Sequence, residues 1–169
     1  MPDRLSQLLG ALSLSASDRV RSSVDTSLGR AGAHAAALVH LEAYPGDSVQ
    51  ALADVLSVSQ PAAVKVVNRL AGDGLLDRRP GPDGRTRALY LTAEGRSAAA
   101  RVLADRSAQL DGVLEVLDGE ERERLEPLLE KLVAALAGDR PAALTVCRLC
   151  DRESCCGAPA GCPLGHTTA

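Results

Sequence analysis

Five cysteines lie close together near the C-terminus, and their type and spacing point to chemistry more clearly than any other residues. The spacing is Cys147-x2-Cys150-x4-Cys155-x6-Cys162, with Cys156 directly after Cys155, and no cysteine precedes this segment. A C-x2-C pair is a typical metal-binding turn because it presents both sulfurs on the same side. Two further thiols nearby complete a tetrahedral set of four sulfur ligands. The segment therefore predicts a metal site or a redox site.

The spacing alone leaves the metal and its ligands open. Four sulfur ligands suit Zn²⁺ or an iron–sulfur cluster, and zinc is the leading expectation because the spacing matches neither of the common ferredoxin motifs. Cys156 and His166 are alternative ligands. Without a metal, the thiols would either form a redox switch that pairs into disulfides under oxidant or have no specific role. The segment has few apolar side chains, so a metal would supply its ordering energy.

The composition is that of a globular protein with an unusual core. Of the 169 residues, 46% are hydrophobic and 24% are charged, the net charge is −3, and the aromatic residues are two Tyr with no Phe or Trp. A core of Leu, Val and Ala favours packed helices. The scarcity of aromatic rings also argues against a base-stacking surface for single-stranded nucleic acid.

The sequence disfavours several classes of protein. It has no run of about 18 apolar residues, and its N-terminus lacks the pattern of a signal peptide, so we expect a cytoplasmic protein with no membrane partner. Thiols normally stay reduced in that compartment, which disfavours a disulfide framework. The sequence has no Gly-rich phosphate loop after a strand and no outstanding carboxylate pair, so we do not expect an enzyme.

Hydrophobic periodicity predicts helices along the first half of the chain. Leucines at positions 5, 8, 9 and 12 begin a first helix, and the Ala-rich stretch 31–43 forms a second one before a Tyr-Pro-Gly break. Ser48 is a suitable N-cap for a third helix, and a fourth begins after the short break at 57–59. The fourth helix is apolar on one face and polar and basic on the other. Together these two short helices predict a helix-turn-helix.

A basic β-hairpin follows the helix-turn-helix. The runs LLDRRP (75–80) and RTRALYLT (85–92) are β-capable, and the GPDG between them is a strong turn signal. From Lys65 to Arg87, six basic residues stand against three acidic ones, although the whole chain is acidic. Such a local excess on a helix face and a hairpin is typical of a surface that binds duplex DNA.

Two long helices and a short element separate the hairpin from the cysteines. Thr92 is a suitable N-cap for a long helix with apolar positions up to Leu117, and Asp118 with Glu121 forms an aspartate capping box for the next helix. Pro127 falls early in that helix, so we expect a bend or a late start there. The stretch PAALTV predicts a further turn or short helix before the cysteines.

The run LADVLSVSQPAAVKVVNRL, its exit GLLDRRP, the wing DGRTR and the junction LTAEGR resemble the DNA-binding segment of MarR-type winged-helix regulators. The resemblance covers residues 31–96, and the long helices on either side match it in layout only. It implies a mainly α fold with a small β-wing, in which a winged helix-turn-helix domain joins a helical dimerisation region. It also implies a homodimer whose helix from Ser59 to Gly72 enters the major groove of DNA.

The resemblance also implies roles for individual residues. Asp83 and Arg85 match the acid-x-Arg tip of the family's wing, where Arg85 would insert into the minor groove and Asp83 would orient it. Some MarR-like proteins have a similar ending, CRLCD…C…CP, which implies four metal ligands: Cys147, Cys150, Cys155 and Cys162. The full set of DNA-binding candidates is Ser59, Gln60, Lys65, Asn68, Arg69, Arg78, Arg79, Asp83, Arg85 and Arg87.

These observations divide the chain into four parts and predict a function. The parts are an N-terminal dimerisation helix (1–30), the winged helix-turn-helix domain (31–96), long dimerisation helices (97–138) and a cysteine-rich tail (139–169). We expect a homodimeric repressor of a pseudo-palindromic operator in double-stranded DNA, tuned by metal or oxidant at the cysteines. One alternative is the same regulator controlled by a small aromatic ligand, with a purely structural zinc tail. The other is a winged-helix adaptor that binds protein and not DNA.

Overall fold

A computed structural model describes residues 3–28, 32–81, 86–157 and 161–168. The helices and strands are α1 (Arg4–Leu28), α2 (Gly32–Ala43), α3 (Val49–Leu56), α4 (Gln60–Gly72), β1 (Leu76–Pro80), β2 (Arg87–Leu91), α5 (Ala93–Leu114), α6 (Gly119–Ala134), α7 (Arg140–Val146) and α8 (Arg152–Cys156), followed by a 3-10 turn (Gly165–Thr168). The prediction of a mainly α fold with a small β-wing is confirmed. No helix in these described ranges is long and apolar enough to cross a membrane.

The helix-turn-helix forms where the sequence predicts it. Ser48 caps α3, and its side-chain oxygen accepts a hydrogen bond from the backbone N–H of Ala51 at 3.1 Å. Ser57 ends α3 with a left-handed backbone conformation (φ 53°), and its N–H donates back to the carbonyl groups of the helix. This tight turn lets α4 begin only three residues later, with Pro61 in its first turn.

The wing is a two-stranded antiparallel hairpin. Leu76 pairs with Leu91 at one end of the sheet, and Pro80 pairs with Arg87 at the other. The strands are slightly shorter than the predicted β-capable runs. Beyond the last pair, the N–H of Gly81 donates to the carbonyl oxygen of Thr86 at 2.9 Å. Residues 82–85, which include the predicted wing tip, lie outside the described residues.

Thr92 connects the wing to the long helix α5. Its hydroxyl oxygen caps the helix by accepting from the N–H of Gly95 at 3.0 Å, and the hydroxyl donates to the carbonyl oxygen of Gly74 at 2.7 Å. Its own N–H donates to the carbonyl of Leu75 at 3.2 Å. One threonine therefore ties the exit of α4, the end of β2 and the start of α5 together.

The core is built from small and aliphatic side chains, as the composition predicts. The main cluster joins α2, α3, α4, the wing and α5, and its largest fully buried members are Leu38, Leu41, Leu52, Leu70, Leu89 and Val67. A second cluster lies where α1 and α2 pack against α5, and it contains Val24, Ala35, Val39 and Val102. Helix α5 therefore belongs both to the winged domain and to the helical region.

Helix α6 differs from the other long helices because none of its residues, all of which are described, is buried. It starts with the predicted capping box, in which Asp118 accepts from the Glu121 N–H at 2.9 Å and Glu121 accepts from the Asp118 N–H at 3.0 Å. The helix begins at Gly119 and runs through Pro127, so the predicted late start at the proline is wrong.

The cysteine-rich tail has more internal structure than its composition indicates. It forms α7 as predicted, then α8 and the 3-10 turn. Ala137, Ala143 and Leu164 make a third small core, against which Val133 of α6 packs. The expectation that the tail has almost nothing apolar to fold around therefore needs correction.

Gly95 provides a test of the wing–helix junction. A Cβ atom at this position would lie 2.0 Å from the carbonyl oxygen of Leu75, which is backbone and cannot move aside cheaply. We expect Gly95→Ala to lower the free energy of unfolding by about 1–3 kcal/mol, as overpacked sites do. The measurement is urea unfolding at fixed protein concentration.

Gly112 is the matched control, because it lies in the same helix with no heavy atom within 4 Å of a built Cβ. Gly112→Ala should raise stability by about 0.5–1 kcal/mol, since alanine is the better helix former. Equal effects of the two substitutions would contradict the role assigned to Gly95.

Candidate nucleic-acid interface and cysteine loop

The exposed face of α4 carries the predicted polar and basic residues. Its opposite face is buried in the main core through Ala63, Val66, Val67 and Leu70. The side chains that remain exposed on the other side include Gln60, Lys65, Asn68 and Arg69. Ser59 is the N-cap residue of α4. Its carbonyl oxygen accepts from Ala63 at 3.0 Å, and its side chain makes no cap hydrogen bond.

Two of these residues are already engaged with neighbouring side chains. Asn68 accepts a short hydrogen bond from the guanidinium of Arg78, which lies on β1. Arg69 forms an ion pair with Asp73, with 3.4 Å between Nε and the carboxylate oxygen. The Asn68–Arg78 contact brings the exposed face of α4 and the wing strand into one continuous surface.

The remaining wing residues extend this surface. Arg79 lies over the ring of Tyr90, with 4.5 Å between its guanidinium carbon and the ring centroid, and 3.8 Å from the carboxylate of Asp77. Arg87 is exposed at the start of β2. No sequence motif identifies Tyr90 as the support of Arg79, because the contact between the two side chains depends on how β1 and β2 pair.

The four leading cysteines line one cavity. Its volume is about 630 Å³, and its walls include Cys147, Cys150, Cys155 and Cys162. Opposite them lies a stripe of α6 that contains Leu125, Leu129 and Val133. Cys156 is not among the residues that line this cavity. The ring nitrogens of His166 lie 3.1 and 3.2 Å from the carbonyl oxygens of Ala137 and Pro163.

The thiols influence one another electrostatically. A hydrogen bond from Cys150 lowers the pKa of Cys147, and the same bond is the largest cause of the raised pKa of Cys150. Burial, followed by the neighbouring Cys150, raises the pKa of Cys155 to about 11. Burial and a hydrogen bond to Cys162 raise the pKa of Cys156. Cys147, Cys150 and Cys155 therefore lie next to one another in a row, and Cys162 lies next to Cys156.

The thiols are near one another without already forming a metal centre. Among the residues that the structure describes, no group of three or more Cys, His, Asp or Glu side chains is gathered in a metal-holding arrangement. The donor set still suits a thiophilic metal, because the four thiols share one cavity and soft sulfur ligands select zinc or iron–sulfur clusters. Arg106 of α5 also lines this cavity. No motif in the sequence pointed to this arginine.

The cysteine loop, the segment Cys147–Cys162, packs on the core that α1, α2 and α5 share. Leu149, which lies between Cys147 and Cys150, packs against the cluster of Val24, Ala35, Val39 and Val102. Helix α7 packs on α3, the first helix of the helix-turn-helix. The C-x2-C turn therefore presents two thiols to the cavity and one leucine to the core that α1, α2 and α5 share.

A buried histidine in the last turn of α2 contacts the turn that leads to α3. His40 is 4% exposed, and its Nε2 atom lies 2.8 Å from a carboxylate oxygen of Asp47. The backbone of the same turn pairs with β2, because the carbonyl oxygen of Asp47 accepts from Leu89 at 3.0 Å and Gly46 N–H donates to the Leu89 carbonyl at 2.8 Å. This turn therefore holds the helix-turn-helix against the wing.

Comparison with known proteins finds a family similarity in the region of the helix-turn-helix and the first wing strand. Residues 28–86 match the sequence pattern that defines the MarR family. Curated proteins include no match to the chain. The matched residues contain α2, α3, α4 and β1, which carry most of the described nucleic-acid-binding candidates.

Several solved structures are similar over most of the chain. The MarR family protein Rv2887 of Mycobacterium tuberculosis is 27% identical, with a TM-score of 0.62, over 78% of this chain and 95% of its own. YusO of Bacillus subtilis is 26% identical, with a TM-score of 0.67, over 78% of this chain and 93% of its own. MepR, a transcription regulator of the Staphylococcus aureus multidrug efflux pump MepA, shares the fold at 18% identity, with a TM-score of 0.68 over 78% of this chain and 98% of its own. About a fifth of this chain lies outside each of these matches.

The His40–Asp47 pair can be tested by removing the carboxylate. We expect Asp47→Ala to lower the free energy of unfolding by about 1–3 kcal/mol, because a buried ring nitrogen loses its partner. The matched control is Asp54→Ala, which removes only an exposed hydrogen bond to Gln50 and should change stability by less than about 0.5 kcal/mol. Thermal or urea unfolding measures both variants, and a neutral Asp47→Ala would contradict the role of the pair.

Proposed function

We propose that the chain is a homodimeric transcriptional regulator that binds double-stranded DNA, since residues 28–86 match the MarR family. The observation that carries the proposal is the continuous surface of α4 and the wing, on which Asn68 and Arg78 meet. One side of this surface is the exposed face of a helix that suits the major groove. The other side is a basic hairpin that suits the flanking backbone and minor groove.

The DNA-binding candidates differ in their surroundings. Gln60 and Lys65 are exposed near the start of α4, which suits direct contact with base edges. Ser59 and Arg87 are exposed at the ends of their elements and suit phosphate contacts. Asn68, Arg69, Arg78 and Arg79 are held by protein neighbours, which fixes their directions before DNA binds. Asp83 and Arg85 keep the wing-tip role that the family resemblance implies.

Unburied leucines support the homodimer. Leu128 and Leu132 of α6 are 59% and 51% exposed, and Leu136, which follows the end of the helix, is 66% exposed. The first half of α1 likewise exposes Leu5, Leu8, Leu9 and Leu12. Such apolar stripes are stable in water when another surface covers them, and a second copy of the chain supplies matching stripes. Two copies then place two DNA-binding surfaces on successive half-sites of a pseudo-palindromic operator.

The cysteine loop is proposed as the regulatory site. Cys147, Cys150, Cys155 and Cys162 would hold the metal, with zinc as the leading candidate and an iron–sulfur cluster as the alternative. The shared cavity supports these four over Cys156, and the carbonyl contacts of His166 disfavour it as a ligand. A bound metal would supply the free energy that orders the loop. Loss of the metal, or oxidation of the thiols, would then weaken repression.

A second cavity supports the alternative of control by a small aromatic ligand. It has a volume of about 380 Å³ and lies between α1, α2 and α5, with Val20, Val24, Ala36 and Leu110 among its walls. Arg106 and Arg148 also line it, so a ligand with a carboxylate or phenolate would find a positive partner. In that case the zinc tail would be purely structural.

Three substitutions test DNA binding. Arg85→Ala should weaken operator binding roughly tenfold to a hundredfold. Lys65→Ala should weaken it about tenfold and relax the preference at the base pair that this lysine contacts. The affinity of the wild type should fall steeply as salt rises, because phosphate contacts release counterions. Arg124→Ala is the matched control, because this arginine lies on α6 and pairs with Glu120 at 2.5 Å. The measurement is fluorescence anisotropy with operator DNA across a salt series. Affinity indifferent to Arg85, to Lys65 and to salt would favour the protein adaptor.

Metal analysis tests the regulatory site. We expect protein purified without oxygen to contain about one zinc per subunit and Cys150→Ser to contain much less, because one of four ligands is lost. Cys156→Ser is the matched control and should keep its metal. The operator affinity of the wild type should fall after chelation or peroxide treatment, whereas that of Cys150→Ser should not respond.

Other outcomes of that analysis are equally informative. A brown protein with two or four irons per subunit would replace zinc with an iron–sulfur cluster. A metal-loaded wild type whose operator affinity ignores chelation and oxidant would make the loop a structural staple and remove its regulatory role.

A further inference from the structure

Tyr44 lies at the end of α2, where the cysteine loop meets the winged domain. The guanidinium of Arg152 donates a hydrogen bond to its hydroxyl oxygen at 2.5 Å and lies 5.0 Å from the ring centroid. Arg140 of α7 is 5.9 Å from the same ring. Two cations of the tail therefore converge on one of the two tyrosines in the chain. Both contacts favour the electron-rich face of the ring.

Arg152 is placed by the cysteines on either side of it. It is the first residue of α8, between Cys150 and Cys155. Asp151 caps this short helix through the N–H of Ser154 at 3.2 Å, and its other carboxylate oxygen accepts from the Ser154 hydroxyl at 2.7 Å. A helix of five residues is not stable alone, so the position of α8 depends on the loop that holds it.

Tyr44 is also connected to the helix-turn-helix and the wing. Its ring stacks on His40, with 4.9 Å between the ring centroids and 29° between the planes. His40 is bonded to Asp47, whose backbone pairs with Leu89 of β2. Ser48, the next residue, caps α3 and forms an isolated β-bridge with Ala88. Contacts therefore run without a gap from α8 to both DNA-facing parts of the domain.

We infer that Tyr44 and Arg152 are positioning residues that transmit the state of the cysteine loop to the DNA-binding surface. The inference rests on the proposed function of that loop. When the four thiols hold a metal, α8 is fixed, and Arg152 holds Tyr44 over His40 and keeps the α2–α3 turn in register with β2. When the loop loosens, Arg152 leaves Tyr44 and the turn gains freedom. Neither residue touches DNA in this scheme.

The chain offers a direct optical probe of this contact. It contains no Trp and two Tyr, so Tyr90→Phe leaves Tyr44 as the sole fluorescent side chain while keeping the ring beneath Arg79. In this background we compare Cys150→Ser, which breaks the loop, with Arg152→Gln, which breaks the contact. Arg148→Gln is the matched control, because it removes an equal charge whose hydrogen bond goes to the Thr145 carbonyl within the tail.

The first measurement is acrylamide quenching of Tyr44 in the full-length chain loaded with zinc. We expect the quenching constant to rise about twofold in both Cys150→Ser and Arg152→Gln and to stay unchanged in Arg148→Gln, since an exposed cation–ring contact is modest but local. An unchanged constant in Cys150→Ser or in Arg152→Gln overturns the inference. This result does not depend on DNA binding.

The second measurement is operator affinity before and after removal of zinc with a chelator. In the wild type the ratio of the two affinities is the coupling between the sites, which we expect to be about fivefold to a hundredfold. Arg152→Gln and Tyr44→Phe should reduce that ratio to near one while each protein still binds zinc. Coupling that persists in Arg152→Gln overturns the inference.

The two measurements separate the inference from the proposed function. If Cys150→Ser raises the quenching constant but zinc leaves the operator affinity of the wild type unchanged, the contact between Arg152 and Tyr44 stands and metal-controlled repression does not. If the operator affinity depends on zinc but the quenching constant of Tyr44 does not change in the variants, the proposed function stands and Tyr44 does not transmit the signal.

Discussion

The close approach of Gly95 to the carbonyl of Leu75 sets how the wing meets α5, and much of the domain is arranged around that approach. Thr92 can cap α5 and bond back to Gly74 only because no side chain separates the helix from the chain that leaves α4. Helix α5 then carries Ala98, Ala99 and Val102 into the two main clusters. The placement of the helix-turn-helix relative to α1 therefore follows from one residue without a Cβ.

Helix α6 has one broad apolar face. Leu125, Leu129 and Val133 on this face line the cysteine cavity, and Leu128 and Leu132 lie beside them and are 59% and 51% exposed. A helix with a neighbour on one side only is weakly held, since most helical stability in proteins comes from packing. If a second copy covers the exposed leucines as proposed, the cysteine loop and the subunit interface lie on neighbouring parts of the same face of α6. A change in the loop would then be felt at the interface as well as at Tyr44.

The sequence predicts best those features that depend on neighbouring residues. Ser48, Thr92 and Asp118 each cap a helix through a residue three positions later, so short-range patterns identify them. The spacing of apolar residues likewise identifies the helices, and the turn signal identifies the hairpin. Pro127 predicted a bend or a late start, and the late start is wrong because α6 runs from Gly119 through the proline.

Contacts between distant parts of the chain are not visible in such patterns. The docking of Leu149 on the α1–α2–α5 cluster and the bond from Arg152 to Tyr44 join residues about a hundred positions apart. Their residue types are common on surfaces, and no short motif links them. The cysteine spacing indicates which thiols are present, whereas the shared cavity shows which of them face the same space.

The engagement of Arg78 with Asn68, and of Arg79 with Tyr90, bears on how this surface would read a groove. A free arginine loses up to about 2 kcal/mol of rotamer entropy when it is fixed in a complex. Here much of that loss has occurred before any partner arrives, so association would meet a smaller entropic penalty. The same rigidity limits adaptation. A groove of the wrong width or phosphate spacing leaves these guanidinium groups without acceptors, so the surface would discriminate by misfit more than by new attraction.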